Sequence, residues 1–215
     1  MQLSFVRLVL GPLQNNVYLL GDEDTGDAVI IDPSFEVDKA LVEAVRQGWT
    51  LRQVWLTHAH FDHLAGAAQA SAAFEPPLPV GLHPLDEVWM KQQGGASVYG
   101  FDVEPIPVPS IHFSDGQLLS LGNTSTRPIV EVRHAPGHSP GSVMFYCEAL
   151  GAIFCGDVIF REGIGRTDLP GGSYETLIES IQTKVLKLPK STTLLPGHGP
   201  ESSVAYEKSH NPYLA

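Results

Sequence analysis

The stretch "THAHFDHLAG", residues 57 to 66, places His58, His60, Asp62 and His63 within six positions. It follows the apolar run "LRQVWLT", which reads as a strand, and opens the alanine-rich run "HLAGAAQASAAF", which reads as a helix ended by Pro76, Pro77 and Pro79. So many lone pairs and charges packed into one strand-to-helix junction need a partner, because a buried polar group without one is costly. Imidazole nitrogen and carboxylate oxygen together suit a borderline divalent cation such as zinc. The chain must therefore build a rigid sheet edge at this point and leave its loops open for chemistry.

The rest of the chain supplies that sheet. "LSFVRLVL", "NVYLLG" and "DAVIIDP" are short β-branched or alternating runs divided by turn residues, an antiparallel start. Residues 36 to 48 read as an amphipathic helix with Val37, Leu41, Val42 and Val45 on its apolar face, ending at Gly48. A strand "PVGL" and a helix "PLDEVWMKQQ" come next, then a Gly/Pro-rich passage, 94 to 116, with no assigned element. The second half repeats the order with "PIVEVRHA", "SVMFYC", "AIFCGD", helix "SYETLIESIQTKVLKL", strand "TTLLP" and a short tail. Periodicity leaves two architectures open, a sandwich of two sheets covered by helices and a doubly wound sheet.

Length and charge narrow the function. At 215 residues the chain suits one domain, 1–215, with a well-filled core. A formal net charge of -11 argues against a nucleic-acid partner. No apolar stretch reaches membrane-span length, and the N-terminus reads as a strand interrupted by Gly11-Pro12. Cys147 and Cys155 fall on the two arms of a hairpin around "EALG", out of register for pairing, and read as buried thiols. The location these features imply is a reducing cytoplasm.

Three more polar groups end apolar strands in turns built from Gly or Pro: His138 in "HAPGHSPGS", Asp157 in "FCGDVIF" and His198 in "LLPGHGP". With the first cluster they make seven candidate ligands: His58, His60, Asp62, His63, His138, Asp157 and His198. Singly, each has an ordinary explanation, such as a solvated loop histidine or a helix cap. Jointly, five of the nine histidines lie at such junctions, which a surface scatter would not produce. Seven ligands exceed one tetrahedral site and fit two metals about 3.5–4 Å apart sharing a carboxylate. His83, His112, His134 and His210 stay outside the set, His134 least firmly because it flanks the His138 turn.

The H-x-H-x-D-H run and the order of the later ligands resemble the metallo-β-lactamase superfamily over nearly the whole chain. The resemblance implies an α+β fold, a four-layered αββα sandwich. Within that superfamily, "GDVIFREGIGRTDLPGGS" and "LLPGHGP" look like the glyoxalase II branch, particularly its short bacterial members. This implies one metal on His58, His60 and His138, a second on Asp62, His63 and His198, and Asp157 bridging them. Both are divalent, zinc in the first instance, with iron or manganese as substitutes. The implied reaction is hydrolysis of a small-molecule thioester, S-lactoylglutathione, to D-lactate and glutathione. Asp62 would both ligate and orient the nucleophile. Arg166 in "GIGRTD" would anchor the glutathione part, or else pair structurally with Asp168.

Full-length glyoxalase II enzymes carry a C-terminal helical extension that contacts glutathione, whereas seventeen residues follow His198 here. Fewer remote contacts would point to a different native thioester. The rival reading is a persulfide dioxygenase, which resembles the chain in its "GRTD" passage and would hold a single iron on His58, His138 and Asp157. That reading leaves His60, Asp62, His63 and His198 without a role as ligands.

Overall fold

The computed structural model describes residues 2–122 and 129–214. β1 (Leu3–Leu10), β2 (Asn15–Asp22) and β3 (Asp27–Ile31) form the expected antiparallel start, with Leu8 opposite Val17 and Leu20 opposite Val29. α1 (Asp38–Arg46) then crosses to β4 (Thr50–Trp55), which lies parallel to β3. α2 (Phe61–Leu64) and α3 (Ala67–Ala72) lead to β5 (Val80–Leu82), and α4 (Glu87–Lys91) precedes β6 (Ile111–His112), both strands continuing the parallel run. These six strands form one sheet in chain order.

The second sheet starts with β7 (Leu118–Leu119), β8 (Val130–His134), β9 (Val143–Cys147) and β10 (Ala152–Gly156), all antiparallel neighbours. Pro128, the first residue of the expected strand "PIVEVRHA", lies outside the described residues. A small hairpin of β11 (Ile159–Phe160) and β12 (Gly163–Ile164) follows. α5 (Tyr174–Ser180) returns the chain to β13 (Thr193–Pro196), parallel to β10, and β14 (Ser202–Ser203) and α6 (Val204–His210) finish it. The sheet order is β14-β13-β10-β9-β8-β7.

The alternation of side chains along each strand divides the interior into three apolar layers. Tyr18, Leu20, Val29, Ile31 and Trp55 from the first sheet meet Val130, Val132, Phe145 and Phe154 from the second. Their neighbours Val17, Leu19, Ala28 and Ile30 face the other way, onto Val37, Ala40, Ala44, Ala67 and Ala70 of the first helical layer. On the second sheet, Met144, Ile153 and Cys155 face Leu177, Ile181, Val185 and Val204. Two sheets back to back, each covered by helices, are the four-layered αββα sandwich. The doubly wound alternative fails because the long crossovers stay within two separate sheets.

Five local expectations change. α1 buries Val37, Ala40 and Ala44, while Val42 and Val45 are 70% and 77% exposed. The small alanines let the helix sit close to the sheet, and the 3.6-residue period turns the two valines outward. The alanine-rich helix is two helices, divided where a Cβ at Gly66 would lie 2.4 Å from the Ser34 carbonyl oxygen. The 173–188 helix passes after Ser180 into a π-helical turn, Ile181–Val185, and the tail contains β14 and α6. The unassigned passage after residue 93 holds β6 and a kinked turn in which Gly94 and Gly95 take positive φ. Among the described residues no helix is long and apolar enough to cross a membrane.

Candidate metal centre

The cluster lies beyond the end of β4. The Asp32 carboxylate, at the end of β3, accepts hydrogen bonds from the Thr57 backbone N–H and hydroxyl, both at 2.7 Å. This sets the path of the chain into His58. Asp32 has φ +51°, a left-handed backbone that Asp tolerates better than most residues. The His138 turn arrives from β8, Asp157 from the end of β10 and His198 from the end of β13. Asn16 and Tyr18 of β2 bond the Pro196 carbonyl, both at 2.8 Å, and hold the His198 turn against the first sheet.

All seven expected residues converge. His58, His60 and His138 bring their ligating atoms within 4.8 Å of one another, as do Asp62, His63 and His198. The His138 Nε2 faces His60 Nδ1 at 2.9 Å and His58 Nε2 at 3.1 Å. His198 Nε2 stands 3.1 Å from Asp62 Oδ2. Asp157 sits between the groups, with Oδ1 3.3 Å from His63 Nε2 and Oδ2 3.7 Å from His138 Nε2 and 3.8 Å from His198 Nε2.

The outer nitrogens are already engaged. His138 Nδ1 is 2.8 Å from the Arg166 carbonyl, His198 Nδ1 3.2 Å from the Leu13 carbonyl, His63 Nδ1 3.0 Å from Asp32 and His58 Nδ1 3.0 Å from the Thr57 hydroxyl. A ring that donates outward from Nδ1 turns a lone pair inward at Nε2, the form a metal binds. One proton cannot satisfy the three imidazole nitrogens that meet at His138. His63 Nε2 and Asp157 Oδ1 are also buried and lack an aligned hydrogen bond. The donor set therefore fits divalent cations on both sides of Asp157.

The electrostatics agree. Burial, reinforced by His63 and His138, holds His58 well below the usual imidazole range, and burial with His138 lowers His60 to about 3. Both are neutral rings at pH 7. Burial pushes Asp157 up, but His63, with His198 and His138, outweighs it and brings the carboxyl down to about 2. Asp62 is also raised by burial, yet His63, His198 and Asn15 hold it below its ordinary value. For His63 burial lowers the pKa, and the charges of Asp157, Asp62 and Asp32 more than reverse this.

Glycines leave the room. A Cβ at Gly197 would lie 2.3 Å from Asp157 Oδ1 and 2.6 Å from His63 Cε1. Arg166 lines the same cavity and forks onto Asp168 through Nε and Nη2 at 2.8 and 2.7 Å. His134 stays outside the cluster, stacked on His83 with centroids 4.2 Å apart and Nε2 on the Pro140 carbonyl.

Several residues that organise the site escaped the sequence reading. Besides Asp32, Asn15 places its amide 2.8 Å from Asp62 Oδ2. Buried Asp86 accepts from Ala59 N at 3.1 Å, Ser139 Oγ at 2.7 Å and Gly141 N at 2.6 Å, tying the His58–His60 loop to the His138 turn. Trp89 sets its indole edge-on to His60, 4.8 Å between centroids. Asp32 had a signal, since it closes an apolar strand before Pro33 as Asp157 closes another; Asn15, Asp86 and Trp89 had none.

A family model described as the metallo-beta-lactamase superfamily matches residues 10–198. The chain belongs to that superfamily. Hydroxyacylglutathione hydrolase GloC of Haemophilus influenzae is 34% identical over 203 residues, covering 94% of this chain and 93% of that one. The crystal structure of BLEG-1 B3 metallo-beta-lactamase superposes with a TM-score of 0.90 at 35% identity, covering 99% and 100% of the two chains. TTHA1623 in a di-iron-bound form gives a TM-score of 0.87 at 37% identity, covering 97% and 100%. Membership carries the coarse activity, a metal-dependent hydrolase.

Proposed function

We propose that this chain is a two-metal hydrolase of small-molecule thioesters, of the hydroxyacylglutathione hydrolase type. The observation that carries the proposal is the pair of ligand triads facing each other across Asp157, with the outer nitrogens of His58, His63, His138 and His198 pinned. His58, His60 and His138 would hold one ion, Asp62, His63 and His198 the other, and Asp157 would contribute to both. Divalent ions bound there supply water activation near neutral pH and stabilise charge developing on a carbonyl oxygen.

The chain's own groups do the rest. Asp62, held by Asn15 and His198, is placed to accept a hydrogen bond from the attacking water. Arg166 stands on the cavity wall as an anchor for an anionic group of the substrate, with Asp168 fixing its fork. A thiolate leaves readily because thiol pKa values lie near 8.5, so no dedicated general acid is needed. The GloC relative favours S-lactoylglutathione as reference substrate, the BLEG-1 likeness brings lactam hydrolysis into the comparison, and the TTHA1623 likeness keeps iron beside zinc.

The test is thiol release from S-lactoylglutathione by metal-loaded protein, beside a chelated control and a lactam substrate. Metal-dependent thiol release is expected. Lactam cleavage without thioester cleavage, or iron-dependent oxygen uptake on a persulfide, would replace the proposal.

A further inference from the structure

The cavity before the ligands, about 210 Å³, is far from uniformly polar. Beside the candidate ligands its lining holds Leu13, Phe61, Trp89, Tyr99 and Leu169, with Arg166 the one Lys or Arg among the described residues that line it. That cation is forked onto Asp168, and the whole chain carries a formal charge of -11. Apart from the ions the ligands would hold, an anionic group of the substrate would meet this one cation, shared with Asp168.

The aromatic wall is built to stay in place. Phe61 stacks on Tyr99 at 5.3 Å and on Phe101 at 5.2 Å, and Phe101 in turn packs on Phe35 at 5.3 Å. A Cβ at Gly94 would lie 2.2 Å from the Phe61 nitrogen, and one at Gly95 3.0 Å from the Trp89 ring, so the kinked turn lies tight on both aromatics. Trp89 is fixed a second time by its indole N–H on the Pro170 carbonyl at 3.3 Å. Tyr99 nonetheless stays 47% exposed. A rigid, partly open aromatic wall beside a reactive centre is how a binding pocket supplies shape and apolar contact while a few polar groups set orientation.

We infer that the cavity takes a flat, apolar substituent of the substrate, an aryl group lying against Trp89 and Tyr99, so that aryl-substituted thioesters are the preferred class. This rests on the thioester reading and narrows it; S-lactoylglutathione becomes the polar reference.

The experiment uses metal-loaded protein and two thioesters of N-acetylcysteamine, acetyl and phenylacetyl, each kcat/KM normalised to that ester's own hydroxide hydrolysis. The phenylacetyl ester is expected to lead at least ten-fold, about 1.4 kcal/mol. The ratio should collapse in Trp89→Ala and Tyr99→Ala and survive in Trp89→Phe. Taking a ratio cancels any shared effect of Trp89 on the neighbouring His60. A wild-type ratio near one, or a ratio unmoved in both alanine variants, overturns the inference. Calorimetric binding of neutral phenylacetamide to the same proteins separates the two claims. If no thioester is cleaved, the thioester reading falls; binding that needs Trp89 then supports the aryl subsite, and no binding overturns it.

Discussion

Asp86 offers the sharpest test of how the site is held together. Its carboxylate is fully buried and accepts from Ala59 N, Gly141 N and Ser139 Oγ, so it joins the loop of His58 and His60 to the turn of His138. Asp86→Ala leaves two buried backbone N–H groups unpartnered, at roughly 1–3 kcal/mol each. The Ser139 hydroxyl loses less, because Ser142 Oγ remains 2.7 Å away. Against that cost, the variant no longer buries a carboxyl group whose pKa burial raises despite its three donors. The net loss is about 3 kcal/mol, a large share of an ordinary stability of about 5–15 kcal/mol. Urea unfolding of chelated protein measures it, with Asp86→Asn as a milder companion at about half the loss, since an amide oxygen still accepts. The uncoupled turn should also release metal to a chelator sooner than wild type. A loss below about 1 kcal/mol with unchanged metal release would show that these hydrogen bonds do not organise the site.

Asp157→Ala removes the carboxylate between the triads, so metal analysis should find fewer than two ions per chain and turnover should fall severely; wild-type occupancy would sink the bridging assignment. Gly197→Ala sets a methyl group 2.3 Å from Asp157 Oδ1 and should cut kcat/KM at least a hundred-fold, with full activity showing that the turn can move aside. Each ion at a hundred times its dissociation constant stabilises by about 2.7 kcal/mol, so chelation should lower Tm by at least roughly 5–10 °C, and an unchanged Tm would argue against a metal centre. At Asp115 burial raises the carboxyl pKa, but the Lys184 hydrogen bond and charge together with the His134 N–H outweigh it and leave the value below 3.8. A depressed acid pKa stabilises the fold above the unfolded value and loses that contribution as pH falls through the folded one. The pair is half-exposed, so Lys184→Ala should cost less than about 1 kcal/mol at pH 7, and the cost should vanish as pH falls through the carboxyl's depressed folded value. A pH-independent difference would assign the effect to lost packing.

What the chain announces by itself is local and repetitive. Alternating runs marked the strands, and coordinating residues after apolar runs marked the ligands, because a strand ending in Gly or Pro puts its next polar residue at a sheet edge whatever lies across from it. The seven candidates could therefore be named before any contact was known, and tertiary structure alone brought His58 and His138, eighty residues apart, to 3.1 Å. Periodicity put Val42 and Val45 on the buried face of α1, since they are as apolar as anything the sheet covers; the close seat of Ala40 and Ala44 turned them outward. Asp86 read as an ordinary polar residue of a helix start and Asn15 as one before a strand until partners from distant segments reached them. Trp89 became a wall of the cavity only when the turn at Gly94 and Gly95 folded over it. Ligands are legible because metal chemistry restricts residue type, whereas the groups that orient ligands and enclose substrate need only a carboxylate, an amide or a ring in the right place, and that place exists only in the folded chain.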